Sequence, residues 1–529
     1  MTDLFSPPDA DARRPDPRAR VALFAAWLVL AGYFVATHVM WRDEVRAFTL
    51  ALSGADMVAM LRTIHGEGHP AIWYILLRAA HMIVPVREVL PAIAAVIGIG
   101  AAAMLAFRAP FRGLVVALAL FGEWMVFEYT AVARNYGMSA LLLFLFADRY
   151  DPRQVRGQGR SRGWWPGALL FLLCNTNVPS VLLAGGLLLF WLVELLTVDG
   201  WRWTPALRAW AVAAGCAGLG ALLCFATVYP PYQDAAVSPH LHEIGPGAVL
   251  RASVQMVDYY CSLLPMFMWQ WRPATDVLLI VLVLALPFSL ARTPGGLAGG
   301  LAVTLALLLF FHFVYPGGYR HVALLFPFVL SLHWMVARGH GGRWSGPAEA
   351  RARRIAAPAS LLTALLLAIQ VSYAVIQLGY QTANEGVYSR AAELGRLLHR
   401  PDLRRAIVMS NPDVMVEALG YYAPNPIWLL RQRTFGRVVH FTFFEDEDLS
   451  LGEMLATARQ LRQRTGRSVV IMLRRAPDPA APAKVESEGY RITFSVTPRQ
   501  ARDFLAATTH LVSYAPAQTD ENYAVYLLR

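Results

Sequence analysis

The chain is short of charge. Of its 529 residues, 16% are charged, against about 25% in an average soluble domain. Lysine is nearly missing: Lys484 stands alone, and every other basic side chain except histidine is an arginine. Cysteine is scarce too. The four, at 174, 216, 224 and 261, show no C-x-x-C spacing, which excludes a disulfide framework or a cysteine-rich zinc module. No internal repeat or low-complexity run stands out, so solenoid and fibrous readings fall away. What is abundant is apolar surface, with 56% hydrophobic and 12% aromatic residues and a mean hydropathy of +0.42. A formal net charge of +11 and a pI near 9.7 raise the question of nucleic acid. The arginines sit in short segments between apolar blocks, however. That pattern suits membrane orientation and gives no reason for a nucleic-acid partner.

The apolar blocks are separate and long. They read as spans at 21–40, 88–107, 113–127, 137–148, 164–174, 179–197, 209–229, 274–291, 297–314, 321–337 and 355–378, eleven in all. The first follows a polar leader and has no small-residue cleavage site, so it reads as a span and not as a cleaved signal. Three blocks, 113–127, 137–148 and 164–174, fall short of the ~17 residues that a span usually needs, so they extend into their flanks or are broken helices. Block 70–84 carries Tyr74, Arg78 and His81 on one helical face, the pattern of an interfacial helix.

A census of arginine sets the expected orientation. With the N-terminus in the cytoplasm and 70–84 on the outer surface, the inner segments (1–20, 108–112, 149–163, 198–208, 292–296, 338–354) hold 19 Arg in 73 residues. The outer loops (41–87, 128–136, 175–178, 230–273, 315–320) hold 9 Arg in 110 residues. The positive-inside rule expects this bias. It puts the N-terminus in the cytoplasm and the C-terminus outside. After residue 378 the pattern changes. RAIVMS (405–410), VVHFTFF (438–444), SVVIML (468–473) and YAVYLL (523–528) read as strands and 451–464 as an amphipathic helix. The chain is therefore expected to be an α-helical polytopic membrane protein (1–378) with a C-terminal soluble α/β domain (379–529). No G-x-G-x-x-G or P-loop occurs in the latter.

The outer loops hold the candidate chemistry. WRDEVRA follows the first span and puts Asp43 and Glu44 at the membrane boundary. As an isolated pair they would be surface charges, but the same loop contains HGEGHPAIWY, with His65, Glu67 and His69 in a Gly-broken turn. A divalent metal held by that turn with Asp43 or Glu44 is one reading; hydrogen-bonding histidines are the other, favoured because Gly66 and Gly68 oppose the helix that a zinc pair at that spacing needs. Arg134 and Tyr136 in ARNY, and Arg320 and His321 after a Pro-Gly-Gly turn, stand on the side where arginine is scarce. Each is either an interfacial anchor or a functional group. Asn175, Thr176 and Asn177 read as a tight outer turn. The loop 230–273 contains an amphipathic stretch at 247–264, with Trp269 and Trp271 at its end.

Taken in order, these pieces resemble the integral-membrane glycosyltransferases of the GT-C fold, in the bacterial branch related to protein mannosyltransferases and aminoarabinose transferases. The matching pieces are Asp43-Glu44 after span one, Gly68, His69, Pro70 and Tyr74 in the same loop, and Ala133, Arg134 and Tyr136 further on. The likeness covers roughly residues 20–340. It implies a polyprenyl-phosphate-sugar donor, transfer on the extracytoplasmic side to a cell-envelope acceptor (glycolipid, polysaccharide or protein), and Asp43 as the catalytic carboxylate. Glu44 stands beside it as second catalytic candidate, and Glu67, His69, Tyr74, Arg134, Tyr136, Arg320 and His321 as substrate-binding residues. Glycosyl transfer needs a base for the acceptor hydroxyl and cations for the leaving phosphate. A transporter or flippase for a lipid-linked intermediate is the rival class. It would favour inverted repeats and mid-membrane charges, neither of which is visible.

Overall fold

The computed structural model describes residues 4–5, 17–151, 164–229, 256–383, 386–440, 447–488 and 492–529. Its first part is helical: α1 (Pro17–Thr37), α2 (Arg42–Ala51), α3 (Met57–Thr63), α4 (Ile72–Ile83), α5 (Val89–Phe107), α6 (Gly113–Leu120), α7 (Tyr136–Arg149), α8 (Trp164–Cys174), α9 (Val178–Asp199), α10 (Pro205–Val228), α11 (Met256–Tyr260), α12 (Ala274–Phe288), α13 (Pro294–Phe313), α14 (Tyr319–Val322), α15 (Leu325–Ala337) and α16 (Pro347–Thr382). Among the described residues, seven helices are long and apolar enough to cross a membrane: α1, α5, α9, α10, α13, the run Tyr319–Ala337 and α16. Each remaining expected span is also helical but shorter.

The block 113–127 is the clearest departure from a regular span. Helix α6 stops at Leu120 and a π-turn covers Trp124–Glu128. Irregular backbone at such depth is tolerated where protein surrounds it, and Trp124, Met125, Val126, Phe127 and Tyr129 are all buried. Helix α5 comes close to this turn because residue 98 is glycine: a Cβ there would lie 2.9 Å from Thr130 Cα.

Both ends of the 41–87 segment meet the strand-bearing part of the chain. Arg42 reaches Asp520 and Glu521, and Arg87 donates to the Tyr421 carbonyl. The segment therefore begins and ends on one side, with α4 packed against α2 and α5. The opposite end of the bundle is rich in arginine. Arg20 donates to the carbonyls of Ala106, Ala109 and Phe111, and Asp148 gathers Arg108, Arg149 and Arg338.

Beyond α16, which runs past residue 378, the described residues form α17 (Ala391–Leu398), α18 (Leu419–Tyr422), α19 (Leu451–Thr465) and α20 (Pro498–Ala507) with nine strands. β1 (Ile407–Asn411), β5 (Val469–Leu473), β9 (Tyr523–Leu528) and β8 (Thr509–Tyr514) form one sheet in that order. β1 and β5 run parallel, and the other two pairings are antiparallel. β4 (Asp448–Ser450), β7 (Thr493–Val496) and β6 (Lys484–Ser487) form a second sheet, and β2 (Trp428–Leu429) pairs with β3 (Thr434–Phe435). The three fully buried strands, β1, β5 and β9, are covered on both faces. Val408, Val470 and Val525 face one core, and Ile407, Ile471 and Tyr526 face another with α19. Double burial is why these strands read as continuous apolar runs. Of the expected strand at 438–444, residues 438–440 form none, and 441–446 lie outside the described residues. The amphipathic stretch expected at 247–264 is helical over Met256–Leu263, and its earlier part lies outside the described residues.

Candidate active site

Helix α2 is built to present Asp43. Trp41 caps it in an extended conformation, and two acids occupy its first turn, where the positive end of the helix favours them. Their fates differ. Glu44 is fully buried. Its carboxylate accepts from the Trp41 amide at 3.1 Å, from His38 Nε2 at 2.9 Å and from the Ala133 amide. Glu44 thus pins α2 to the 128–135 loop. Asp43 points the other way, with its side chain 39% exposed. It has no hydrogen bond to its carboxylate among the described residues, and its nearest cation is Arg42, whose Nε lies 3.9 Å away.

Cations converge on that open carboxylate. Burial opposes its charge, but the guanidiniums of Arg134, Arg42 and Arg320 outweigh burial and hold its pKa below the ordinary carboxylate value. Arg134 donates through Nη1 to the Asp43 backbone carbonyl and through Nη2 to His69 Nε2, 2.8 Å away. His69 Nδ1 faces the Glu67 carbonyl at 3.3 Å. A carbonyl only accepts, so Nδ1 carries the proton and Nε2 is free to accept from Arg134. Burial and then Arg134 push the His69 pKa down to about 3, which keeps the imidazole neutral. Arg134 makes no ion pair with a carboxylate among the described residues, so its charge is left over for a ligand.

Arg320 is more engaged. Its Nε lies 3.5 Å from Glu128 Oε2, its Nη2 donates to Tyr388 Oη at 2.9 Å, and its guanidinium sits 5.1 Å from the Trp41 ring. Beside it, the Gly318 amide donates to His321 Nδ1 at 3.1 Å, which leaves the proton on Nε2. That nitrogen is 2.7 Å from Tyr136 Oη and donates to it, so the phenol hydrogen of Tyr136 remains for another acceptor. The turn Asn175–Asn177 supports this wall from below. Asn135 Nδ2 donates to the Thr176 carbonyl, and Ser139 Oγ is hydrogen-bonded to Thr176 Oγ1 and to Asn177 Nδ2, both at 2.8 Å.

Glu67 and Tyr74 stand behind the cluster. Glu67 is held in a fork by Arg46, at 2.9 and 2.8 Å. Tyr74 is buried, and burial and then Glu67 raise its pKa. The metal arrangement weighed for this loop is not formed. Gly66 and Gly68 take positive φ angles of 85° and 74° and break the helix that His65 and His69 would need. Glu67 is taken by Arg46, His69 by Arg134 and Glu44 by His38. Among the described residues no three His, Cys, Asp or Glu side chains gather as metal ligands.

The C-terminal domain reaches the site through residues that sequence spacing does not signal: Tyr388, Glu417, Asp520 and Glu521. Glu417 accepts from Arg46 and from the Val439 amide at 2.7 Å. A cavity of about 350 Å³, lined by Asn411, Arg474, Asp478 and Glu488 among others, lies in that domain, and none of the residues just placed around Asp43 lines it.

No family model matches the chain, and no curated protein matches it by sequence. Among solved structures it is similar to ArnT from Cupriavidus metallidurans, in a crystal structure bound to undecaprenyl phosphate and in another of the apo state. The first is 12% identical over 89% of this chain and 96% of that chain, with a TM-score of 0.44. For the second the figures are 12%, 91%, 98% and 0.43.

Proposed function

We propose that the protein is a membrane glycosyltransferase of GT-C type that moves a sugar from a polyprenyl-phosphate carrier to an extracytoplasmic acceptor of the cell envelope. One observation carries the reading: a half-exposed carboxylate, Asp43, lies among Arg134, Arg320 and a neutral His69 at one end of the helical bundle. The ordered motifs of the sequence point the same way. Asp43 takes the proton of the acceptor hydroxyl. The freed oxygen forms its bond to the anomeric carbon as the bond from that carbon to the phosphate oxygen breaks, inverting the centre. The electron pair leaves with the polyprenyl phosphate, and Arg134 neutralises it, with Arg320 as second cation. A bound phosphate also offsets the guanidiniums that depress Asp43, so donor binding strengthens the base.

In this reading residues 1–378 form the membrane part, in a bacterial inner membrane, and 379–529 an extracytoplasmic domain. The test against a flippase uses proteoliposomes containing a polyprenyl-phosphate sugar and a glycolipid acceptor. A new glycosidic product with release of free polyprenyl phosphate is expected. Donor carried intact to the other leaflet, with no product, would favour the flippase.

A further inference from the structure

Arg42 stands next to Asp43 in the first turn of α2, and its position raises a problem of competition. Neighbours in a helix point in different directions, but a long arginine side chain whose head already lies near a carboxylate can swing onto it as an ion pair. Here the Arg42 Nε stays 3.9 Å from Asp43 Oδ1. The C-terminal domain holds it there. Arg42 Nη1 donates to Asp520 Oδ1, and the Arg42 amide donates to Glu521 Oε1 at 2.9 Å. Asp520 is fixed from its other side by Arg474, whose Nη2 is 3.2 Å from Oδ2. Glu521 is fixed by Ser389 Oγ. The Arg42 guanidinium also rests 5.3 Å from the Trp41 ring.

We propose that Asp520 is a positioning residue that holds Arg42 off Asp43, so that the Asp43 carboxylate stays open to an acceptor hydroxyl. The inference rests on the reading of Asp43 as the base. Neutralising Asp520 releases Arg42 to its neighbour, and an Asp43 held in an ion pair is both blocked and a weaker base. The other groups facing Asp43 stay unchanged in the comparison. They are Arg134 and His69 from the two flanking loops, Tyr315 and Arg320 from the segment before α15, and Tyr388 and Glu417 from the C-terminal domain. Glu521 remains on the Arg42 amide.

The test uses the full chain in lipid nanodiscs and has two parts. In a cryo-EM structure of Asp520→Asn, Arg42 is expected within about 3 Å of Asp43. Sugar transfer by this variant is expected to slow about tenfold, part of the about 10²–10⁴-fold that a positioned base contributes. Adding Arg42→Gln to Asp520→Asn is expected to restore most of the rate. A contact that mattered only for folding would not show this, because the second substitution removes still more of it. Asp520→Ser is read in the same way if Asp520→Asn unfolds. Arg42 remaining at its wild-type separation, or a double variant no faster than the single one, would overturn the proposal. Absence of transfer in the wild-type protein would instead overturn the proposed function, and the position of Arg42 would still decide this inference.

Discussion

At the scale of single residues, two adjacent acids with the same sequence credentials have opposite environments. Glu44 is buried under three donors and holds backbone in place, whereas Asp43 is open and ringed by cations. The sequence placed both at the membrane boundary. Only the family resemblance ranked Asp43 first; composition and spacing did not separate the two, because the difference lies in Ala133 and His38, which the fold supplies. The titration follows. With Asp43 depressed, kcat/KM is expected to persist at acidic pH and fall only as pH drops through a pKa below the ordinary value. The acidic limb of kcat is expected at higher pH, because bound phosphate offsets the arginines. His69, with its pKa near 3, adds no limb between pH 5 and 8. Coincident limbs would exclude a phosphate beside Asp43. The arginines also differ. Arg134 has no carboxylate partner among the described residues, whereas Arg320 has Glu128. Arg134→Ala is expected to weaken polyprenyl-phosphate binding by about 1.5–3 kcal/mol, and Arg320→Ala by less, measured on purified variants. Equal affinities for wild type and Arg134→Ala would make Arg134 an anchor only.

At the scale of elements, helices were legible where apolar runs were long, and strands where both faces were buried. β8 escaped notice because it is a half-exposed edge strand of mixed composition, THLVSY. The shortness of 113–127 allowed a broken helix, but not the place or kind of the break, a π-turn at Trp124–Glu128, because that stretch has the composition of a span. Least legible was the clamp on α2, which joins residues hundreds of positions apart. Arg46 is its hub, forked onto Glu67 and paired with Glu417, with side-chain exposures of 18%, 10% and 3%. Removing one member of such a cluster strands buried charge. Arg46→Ala is expected to destabilise the protein by about 3–5 kcal/mol, read as a lowered unfolding temperature. Adding Glu417→Gln should recover part of the loss, because the second carboxylate no longer has to be charged. An unchanged unfolding temperature for Arg46→Ala would show that the clamp contributes little.

At the scale of the whole molecule, the bundle has two unlike ends. One gathers Arg20, Arg108, Arg149 and Arg338. The other gathers α2, the 128–135 loop, the Pro-Gly-Gly turn and the C-terminal domain. In the proposed orientation, the one the arginine census expects, the first end is cytoplasmic. A reporter active only outside the cytoplasm, fused after Arg529, is therefore expected to be active, and one inserted at Gly157 silent. The reverse pattern would invert the orientation and place the Asp43 cluster on the cytoplasmic side.

The central claim is that Asp43 is the base of a sugar transfer. It is tested most directly by single-turnover transfer from a polyprenyl-phosphate sugar with purified wild type and Asp43→Asn, with donor binding measured in parallel. Asp43→Asn keeps the size of the side chain and removes the proton acceptor. Transfer is expected to fall by about 10²–10⁴-fold while donor affinity is retained or increased, because Arg134 and Arg320 keep their charge and lose a competing carboxylate. Wild-type transfer by Asp43→Asn would contradict the account.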